Sequence, residues 1–533
     1  MTITNVFVLM LENRSFDNIF AMSGIPGITA ASTANSNAWA GGVYNVQNGA
    51  PVSMPTDPGH EFADVLEQLA GSGAAYTQGG PYPPIDCSGF VANYATSTTE
   101  GPAPNPGQVG NIMACFTTPT QLPALYQLAT SFAVCDQWFS SVPGPTWPNR
   151  FFIHGASSGG LDHSPTGTEI ATWTTVGGFT YPKGSIYDSL NRASIPWRLY
   201  QDHNGPVVGT IPQVGALKGV FVTQVRNVAS LAADLNGSYP YAYTFIEPNY
   251  GDVTSGSYQG GSSQHPMDGV NQGENLIADV YEAIRNSPLW ETSLLIITYD
   301  EHGGFYDSVA PGAIAAPADG SSGDLNANGF AFDQAGVRVP AVVVSPLIPA
   351  NTVDHTLYDH ASVLATLESL FNLEPLTDRD KNARSVLNLL SLQVARTDCP
   401  TSLPRPAAAV SMVAMAAEIA TPERRARDLE PVPEAGNLAG FLAIAHKSEL
   451  ELAAGKTKLR GAAREQFKTI ETRGQARAYI ELVRQKIEAA KALGATSLAE
   501  AGARKSKRPD AGAKRSGVKR NKARRGGKTD AAK

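Results

Sequence analysis

Two pairs of oxygen-bearing residues stand where apolar runs end. Val6–Leu11 is followed at once by Glu12, Asn13, Arg14, Ser15, Phe16 and Asp17. Leu294–Tyr299 leads into Asp300, Glu301, His302, Gly303 and Gly304. Carboxylates held close together repel, and a divalent cation is the usual remedy. Glu12, Asn13, Asp300 and Glu301 offer oxygen donors only, which suits one Mg²⁺, Ca²⁺ or Mn²⁺ ion better than a thiolate-loving metal. Each pair alone has a plainer explanation, with Asn13 or Ser15 capping the next helix and Glu12 in solvent. Two such pairs at two strand ends are harder to dismiss.

A third stretch, Val142-Pro143-Gly144-Pro145-Thr146-Trp147-Pro148-Asn149-Arg150, fixes one hydroxyl in a proline-bracketed turn with an arginine four residues on. A hydroxyl becomes a useful nucleophile when a metal or a base lowers its pKa. A guanidinium is a planar clamp for phosphate. Taken alone, the motif is better explained as a rigid turn. Nine histidines complete the inventory, and His60, His203, His265, His302 and His360 stand beside Asp, Asn, Gln or Gly in loop-like sequence. One loop histidine is usually surface decoration. Several converging ones suit a site that binds phosphate oxygens and protonates a leaving group.

These residues need a frame that brings distant strand ends together. Val6–Leu11, Tyr241–Ile246, Leu294–Tyr299 and Val337–Ser345 read as strands, and Gln121–Thr130, Asn271–Asn286 and Tyr358–Phe371 as helices. Apolar strands alternating with helices predict an α/β fold, a largely parallel sheet with helices on both faces. In such sheets ligands bind at the carboxyl ends of strands, where the acidic pairs sit. The expected organisation is a catalytic domain over 1–395, a linker over 396–436, a helical region over 437–498 and a basic tail over 499–533. An apolar stripe of Ile480, Val483, Ile487 and Ala490 marks the helical region as one that packs on itself or on the main domain.

The 533 residues are 42% hydrophobic and 17% charged, which excludes a wholly disordered chain and allows a large core. The net charge of −7 conceals 13 Lys/Arg against two Asp from Arg504 to Lys533, so the rest of the chain carries −18. That aromatic-free tail is expected to stay disordered and solvated, with anionic membrane surface as its second reading and nucleic acid its third. No specific nucleic-acid partner is expected. No signal peptide or membrane-spanning run is apparent in the given chain, which implies a cytoplasmic protein or one exported by a route not readable from it. Four cysteines in no metal-binding spacing read as structural thiols.

Glu12-Asn13-Arg14-Ser15-Phe16-Asp17, Pro145-Thr146-Trp147-Pro148-Asn149-Arg150, Asp300-Glu301-His302-Gly303-Gly304-Phe305-Tyr306-Asp307 and Tyr358-Asp359-His360-Ala361-Ser362-Val363-Leu364 occur here in the order found in bacterial phosphoesterases. That family contains non-specific phospholipases C and acid phosphatases, and lies within the alkaline-phosphatase-like superfamily. The resemblance covers roughly residues 4–392. It implies that Glu12, Asn13, Asp300 and Glu301 are metal ligands, that Thr146 holds the nucleophile position, and that His60, His203 and His265 line the phosphate pocket. Thr146 and Arg150 favour the phospholipase branch, acting on phospholipid through a phosphothreonine. An acid phosphatase acting on monoesters is the alternative enzyme, and a tethered binding protein with an inactive enzyme-like domain the alternative outside catalysis. Thr146-Trp147-Pro148-Asn149-Arg150 also resembles the sulfatase motif, but threonine's methyl group blocks the aldehyde that sulfatases form. Ser308 departs from the family, whose members often carry His after the equivalent of Asp307.

Overall fold

A computed structural model of the chain describes residues 2–203, 211–321, 323–407 and 422–506. Its main strands are β1 (Asn5–Leu11), β2 (Ala133–Cys135), β3 (Trp197–Gln201), β4 (Arg226–Asn227), β5 (Tyr243–Glu247), β6 (Ser293–Tyr299), β7 (Ala341–Val344) and β8 (Thr352–Asp354). They form one sheet in the order β8-β2-β7-β6-β1-β5-β3-β4. Only β7 runs against its neighbours β6 and β2; the other pairings are parallel. All seven residues of β1 and of β6 are buried. Successive side chains face opposite sides of a strand, so full burial means that both faces of the sheet centre are covered. The fold is α/β, as the alternation of apolar runs predicts.

The helices that matter to the site are α1 (Pro123–Ser131), α2 (Thr146–Gly155), α3 (Asn271–Arg285), α4 (Ala361–Phe371), α5 (Asn437–Leu452), α6 (Thr457–Lys468) and α7 (Arg473–Ser506). Two expected elements are shorter than their apolar runs. The strand expected over Val337–Ser345 begins only at Ala341, because Pro340 has no N–H for the ladder and Arg338 is drawn into a buried ion cluster. The helix expected from Tyr358 begins at Ala361, because Tyr358 bridges to Trp138.

Residues Met1–Glu488 make one compact unit and Ala489–Lys533 a second. Within the first unit Ile480, Val483 and Ile487 are buried, as their spacing implies. The described part of the second is the helical run that ends at Ser506. Of the expected linker, residues 408–421 lie outside the described residues; Pro422–Arg427 is a short helix whose Arg424 pairs with Asp252 at 2.7 Å. The basic tail beyond Ser506 also lies outside them. All four cysteines are buried and free. Among the described residues no helix is long and apolar enough to cross a membrane.

Candidate active site

Parallel pairing of β1 with β6 sets Leu11 beside Tyr299. The residues that follow, Glu12-Asn13 and Asp300-Glu301, therefore leave adjacent strands side by side. Asn13 turns the chain at φ 58°, a left-handed conformation that asparagine tolerates. Its N–H donates to Asp300 Oδ1 at 2.9 Å, and the Glu301 N–H donates to the same oxygen at 2.7 Å. Both Glu12 and Asp300 are shifted above the usual carboxylate range, by burial first and then by neighbouring carboxylates, with Arg150 opposing.

Thr146 opens α2, and Arg150 one turn later anchors that helix to the strand ends. Arg150 Nε donates to Asp300 Oδ2 at 2.9 Å and Nη2 to the Leu11 carbonyl at 3.0 Å, while the guanidinium lies 5.2 Å from the Tyr250 ring centre. Expected as a phosphate clamp, Arg150 is thus engaged mostly with the protein, and only Nη1 lacks a partner. The helix start is held by Asn149, whose amide donates to the carbonyls of Gly144 and Pro145. Thr146 sits at the amino end of α2, where the helix dipole favours an anion.

Four buried oxygens in this region have no hydrogen-bond partner in the protein: Glu12 Oε2, Asn13 Oδ1, Thr146 Oγ1 and Glu301 Oε1. Buried polar atoms are rarely left so, and each calls for an ordered water, an ion or a substrate group. Their chemistry, two carboxylates, an amide and a hydroxyl, fits a hard divalent cation. Among the described residues no three His, Cys, Asp or Glu side chains form a cation site by themselves, and both Asp300 oxygens are engaged, Oδ1 by the Asn13 and Glu301 N–H groups and Oδ2 by Arg150.

His60 and His265 lie against the same strand ends. Burial alone would depress His60, but Glu301, Asp57 and Glu61 outweigh it and lift the ring to about 10. Its Nδ1 meets the Pro58 carbonyl at 2.9 Å. His265 is held well below its ordinary pKa by burial and by the charges of His60 and Arg14. Its ring stacks on Tyr258, with centroids 3.5 Å apart and planes 11° apart. His265 Nε2 stands 3.6 Å from Asp57 Oδ1, too far for a hydrogen bond, so both atoms lack a partner. His203 follows β3, with Nε2 3.2 Å from Gln201 Oε1; the adjacent Asp202 accepts from Ser262, near His265 in sequence. It is joined to the cluster through neighbouring residues and is less enclosed than His60 and His265.

The profile of the phosphoesterase family matches residues 3–374. The chain belongs to the phosphoesterase family. The sequence is 33% identical to non-specific phospholipase C3 of Arabidopsis thaliana over 424 residues, covering 75% of this chain and 76% of that protein. It is 35% identical to non-specific phospholipase C6 of the same plant, with 75% of each chain covered. Phospholipase C B of Mycobacterium tuberculosis matches at 28% identity over 70% of this chain and 74% of its own. An alkaline phosphatase superfamily protein from Vibrio parahaemolyticus superposes with a TM-score of 0.30 at 10% identity, over 72% of this chain and 70% of that one. This phosphoesterase is accordingly an enzyme, a phosphoester hydrolase.

Five further residues contribute to the phosphoesterase site, of which only His360 was among the histidines noted from sequence. His360 Nε2 donates to the Asp300 carbonyl at 2.6 Å while Nδ1 receives the Trp138 N–H at 3.4 Å, which fixes a neutral ring. Asp57, three residues before His60, faces both pocket histidines. Tyr258 supplies the stacking ring. Asp17 and Asp307, the last residues of two motifs, both meet Arg338, at 3.3 and 2.7 Å, and clasp the two loops behind the site. His360 and the two aspartates lay within the recognised motifs, and Asp57 could have been read from its spacing to His60. Tyr258 carried no such signal.

Proposed function

We propose that the protein is a phospholipase C that cleaves phospholipids on the glycerol side of the phosphate, with Thr146 as nucleophile. The observation that carries this is Thr146 Oγ1, a buried, partnerless hydroxyl at the amino end of the helix whose Arg150 bonds Asp300. The naming of relatives as phospholipases C, at up to 35% identity, supports the lipid substrate. Glu12, Asn13, Asp300 and Glu301 would hold one divalent cation, which would acidify the Thr146 hydroxyl and offset phosphate charge.

The Thr146 oxygen forms a bond to phosphorus as the bond to the diacylglycerol oxygen breaks, and the hydroxyl proton passes to a neighbouring base. The departing alkoxide takes a proton from His265 or His203. In the resting site His265 is neutral; the phosphate's negative charge favours the protonated ring that this step requires. Water then attacks the phosphothreonine, with the same histidine as base, and releases the phosphorylated headgroup. Arg150 keeps Asp300 and the amino end of α2 in register throughout.

The test has two arms. Diacylglycerol and phosphocholine released from phosphatidylcholine support the proposal, whereas turnover of p-nitrophenyl phosphate alone identifies a monoesterase. Thr146→Val keeps the side chain's shape and should lower kcat at least about 10³-fold, with Thr146→Ser still active. Wild-type turnover in Thr146→Val rules out the nucleophile.

A further inference from the structure

The family match ends at residue 374, yet α5, which begins at Asn437, is built into the site. Trp147, next to Thr146, donates its indole N–H to Asn437 Oδ1 at 2.8 Å. Asn437 Nδ2 donates to the Tyr258 hydroxyl at 3.2 Å. An indole can only donate, so the amide oxygen must face Trp147 and its nitrogen Tyr258. Tyr258 in turn stacks on His265. One amide therefore links the residue beside the proposed nucleophile to the ring that orients a proposed proton donor.

The rest of the first helical turn is fitted to the same place. A Cβ on Gly440 would fall 2.0 Å from Trp147 Cζ2, so the helix lies directly against the indole. Phe441 packs 6.0 Å from the Trp147 ring and 5.1 Å from Tyr250, the ring that faces Arg150. Farther along the chain, Arg473 binds Glu100 at 3.0 Å and the Thr254 carbonyl at 3.3 Å, tying down the loop that carries Tyr258.

We propose that Asn437 is a positioning residue, which sets the relative placement of Thr146 and His265 through Trp147 and Tyr258. Asn437 touches neither reacting atom. Its two hydrogen bonds fix two independent elements, the start of α2 and the loop after β5, to a third. The helix α5 and the start of α7 at Arg473 are thus part of the catalytic unit and supply an alignment that the region of family likeness lacks on its own. This rests on the roles given above to Thr146 and His265.

The test is a double-mutant cycle in the full-length protein, with p-nitrophenylphosphocholine as substrate. Asn437→Leu keeps the side chain's branched shape but removes both hydrogen bonds, and should lower kcat about tenfold with KM changed less than about twofold, as expected when alignment rather than binding is lost. Tyr258→Phe removes one of those bonds and leaves the stack on His265 intact. The double variant should be no slower than Asn437→Leu alone, because the two changes break a shared connection. Asn437→Asp, which accepts from both Trp147 and Tyr258, should restore kcat to within about threefold of wild type. Wild-type kcat in Asn437→Leu, or losses that multiply in the double variant, would overturn the proposal. Should Asn437→Leu fail to fold, Tyr258→Phe carries the test, and wild-type kcat there overturns it. Full turnover in Thr146→Val would remove the nucleophile assignment while leaving the cycle to be read independently.

Discussion

Gly303 of one acidic loop presses directly against Asn13 of the other, and replacing it by alanine tests how tightly they are set. Its φ is +63°, and a Cβ there would lie 2.1 Å from the Asn13 carbonyl oxygen and 2.6 Å from its carbonyl carbon. Holding alanine in a left-handed conformation costs about 1–2 kcal/mol. Reaching an ordinary contact near 3.4 Å requires the two segments to part by about 1.3 Å, and overpacking of that kind costs about 1–3 kcal/mol more. The sum is about 2–5 kcal/mol, borne by backbone that presents Asn13 and Glu301. A displacement of roughly 1 Å among reacting groups lowers turnover on the order of 10²-fold. Gly219→Ala separates the two causes, since Gly219 has φ +85° with nothing within 4 Å of a new Cβ. It should lose about 1 kcal/mol and no activity. Urea unfolding followed by tryptophan fluorescence gives the stabilities, and initial rates give kcat. The reasoning fails if Gly303→Ala unfolds at the same urea midpoint as Gly219→Ala and turns over within about twofold of wild type.

Chelation should abolish turnover, and Asp300→Asn should weaken both metal retention and activity; a preparation shown metal-free by elemental analysis yet fully active excludes the proposed cation. Glu368 is lifted to about 10 by burial and then by its hydrogen bond to Asp380, so the native state holds a proton that the unfolded chain gives up. Its contribution to stability is present below the unfolded value of about 4.3 and declines as pH rises toward 10. Glu368→Gln should therefore gain on wild type across that window, by about 2 kcal/mol at pH 8, and parallel stability–pH curves would contradict this. Arg338→Met strands Asp17 and Asp307 without their cation and should cost about 3–5 kcal/mol at pH 8. Because protonation relieves stranded carboxylates, urea midpoints should show a smaller deficit at pH 5, and an equal deficit would place the cost in packing instead.

Much of the frame could be read before any coordinates. β1, β6 and α3 appear where their apolar runs and 3.6-residue spacing put them, because each is buried along its length or on one whole face. Glu12, Asn13, Asp300 and Glu301 were conspicuous because strand ends are where open α/β sheets expose chemistry. The partners were not readable. Arg150 was assigned to phosphate on chemical type, but the Asp300 carboxylate it meets is 150 residues away in sequence. Tyr258 sits in a stretch without periodicity and Asn437 at the very start of the helical region, and their roles exist only once Trp147 and His265 have been folded against them. Local pattern reports which residues are buried or exposed; it carries no record of which loops meet.

The position of β1 also bears on how the chain reaches this state. It is the centre of the sheet, yet its neighbours β5 and β6 are about 240 and 290 residues downstream. At ribosomal speeds of about 5–20 residues per second, Asn5–Leu11 emerges some 15–60 s before β6 exists to pair with it. Seven residues of strong strand propensity, uncharged and without proline, are meanwhile an exposed adhesive edge. Premature pairing between nascent chains competes directly with closure of the sheet. Yield on expression should thus respond to synthesis rate and to chaperones that shield the first few dozen residues more than to the stability of the finished enzyme.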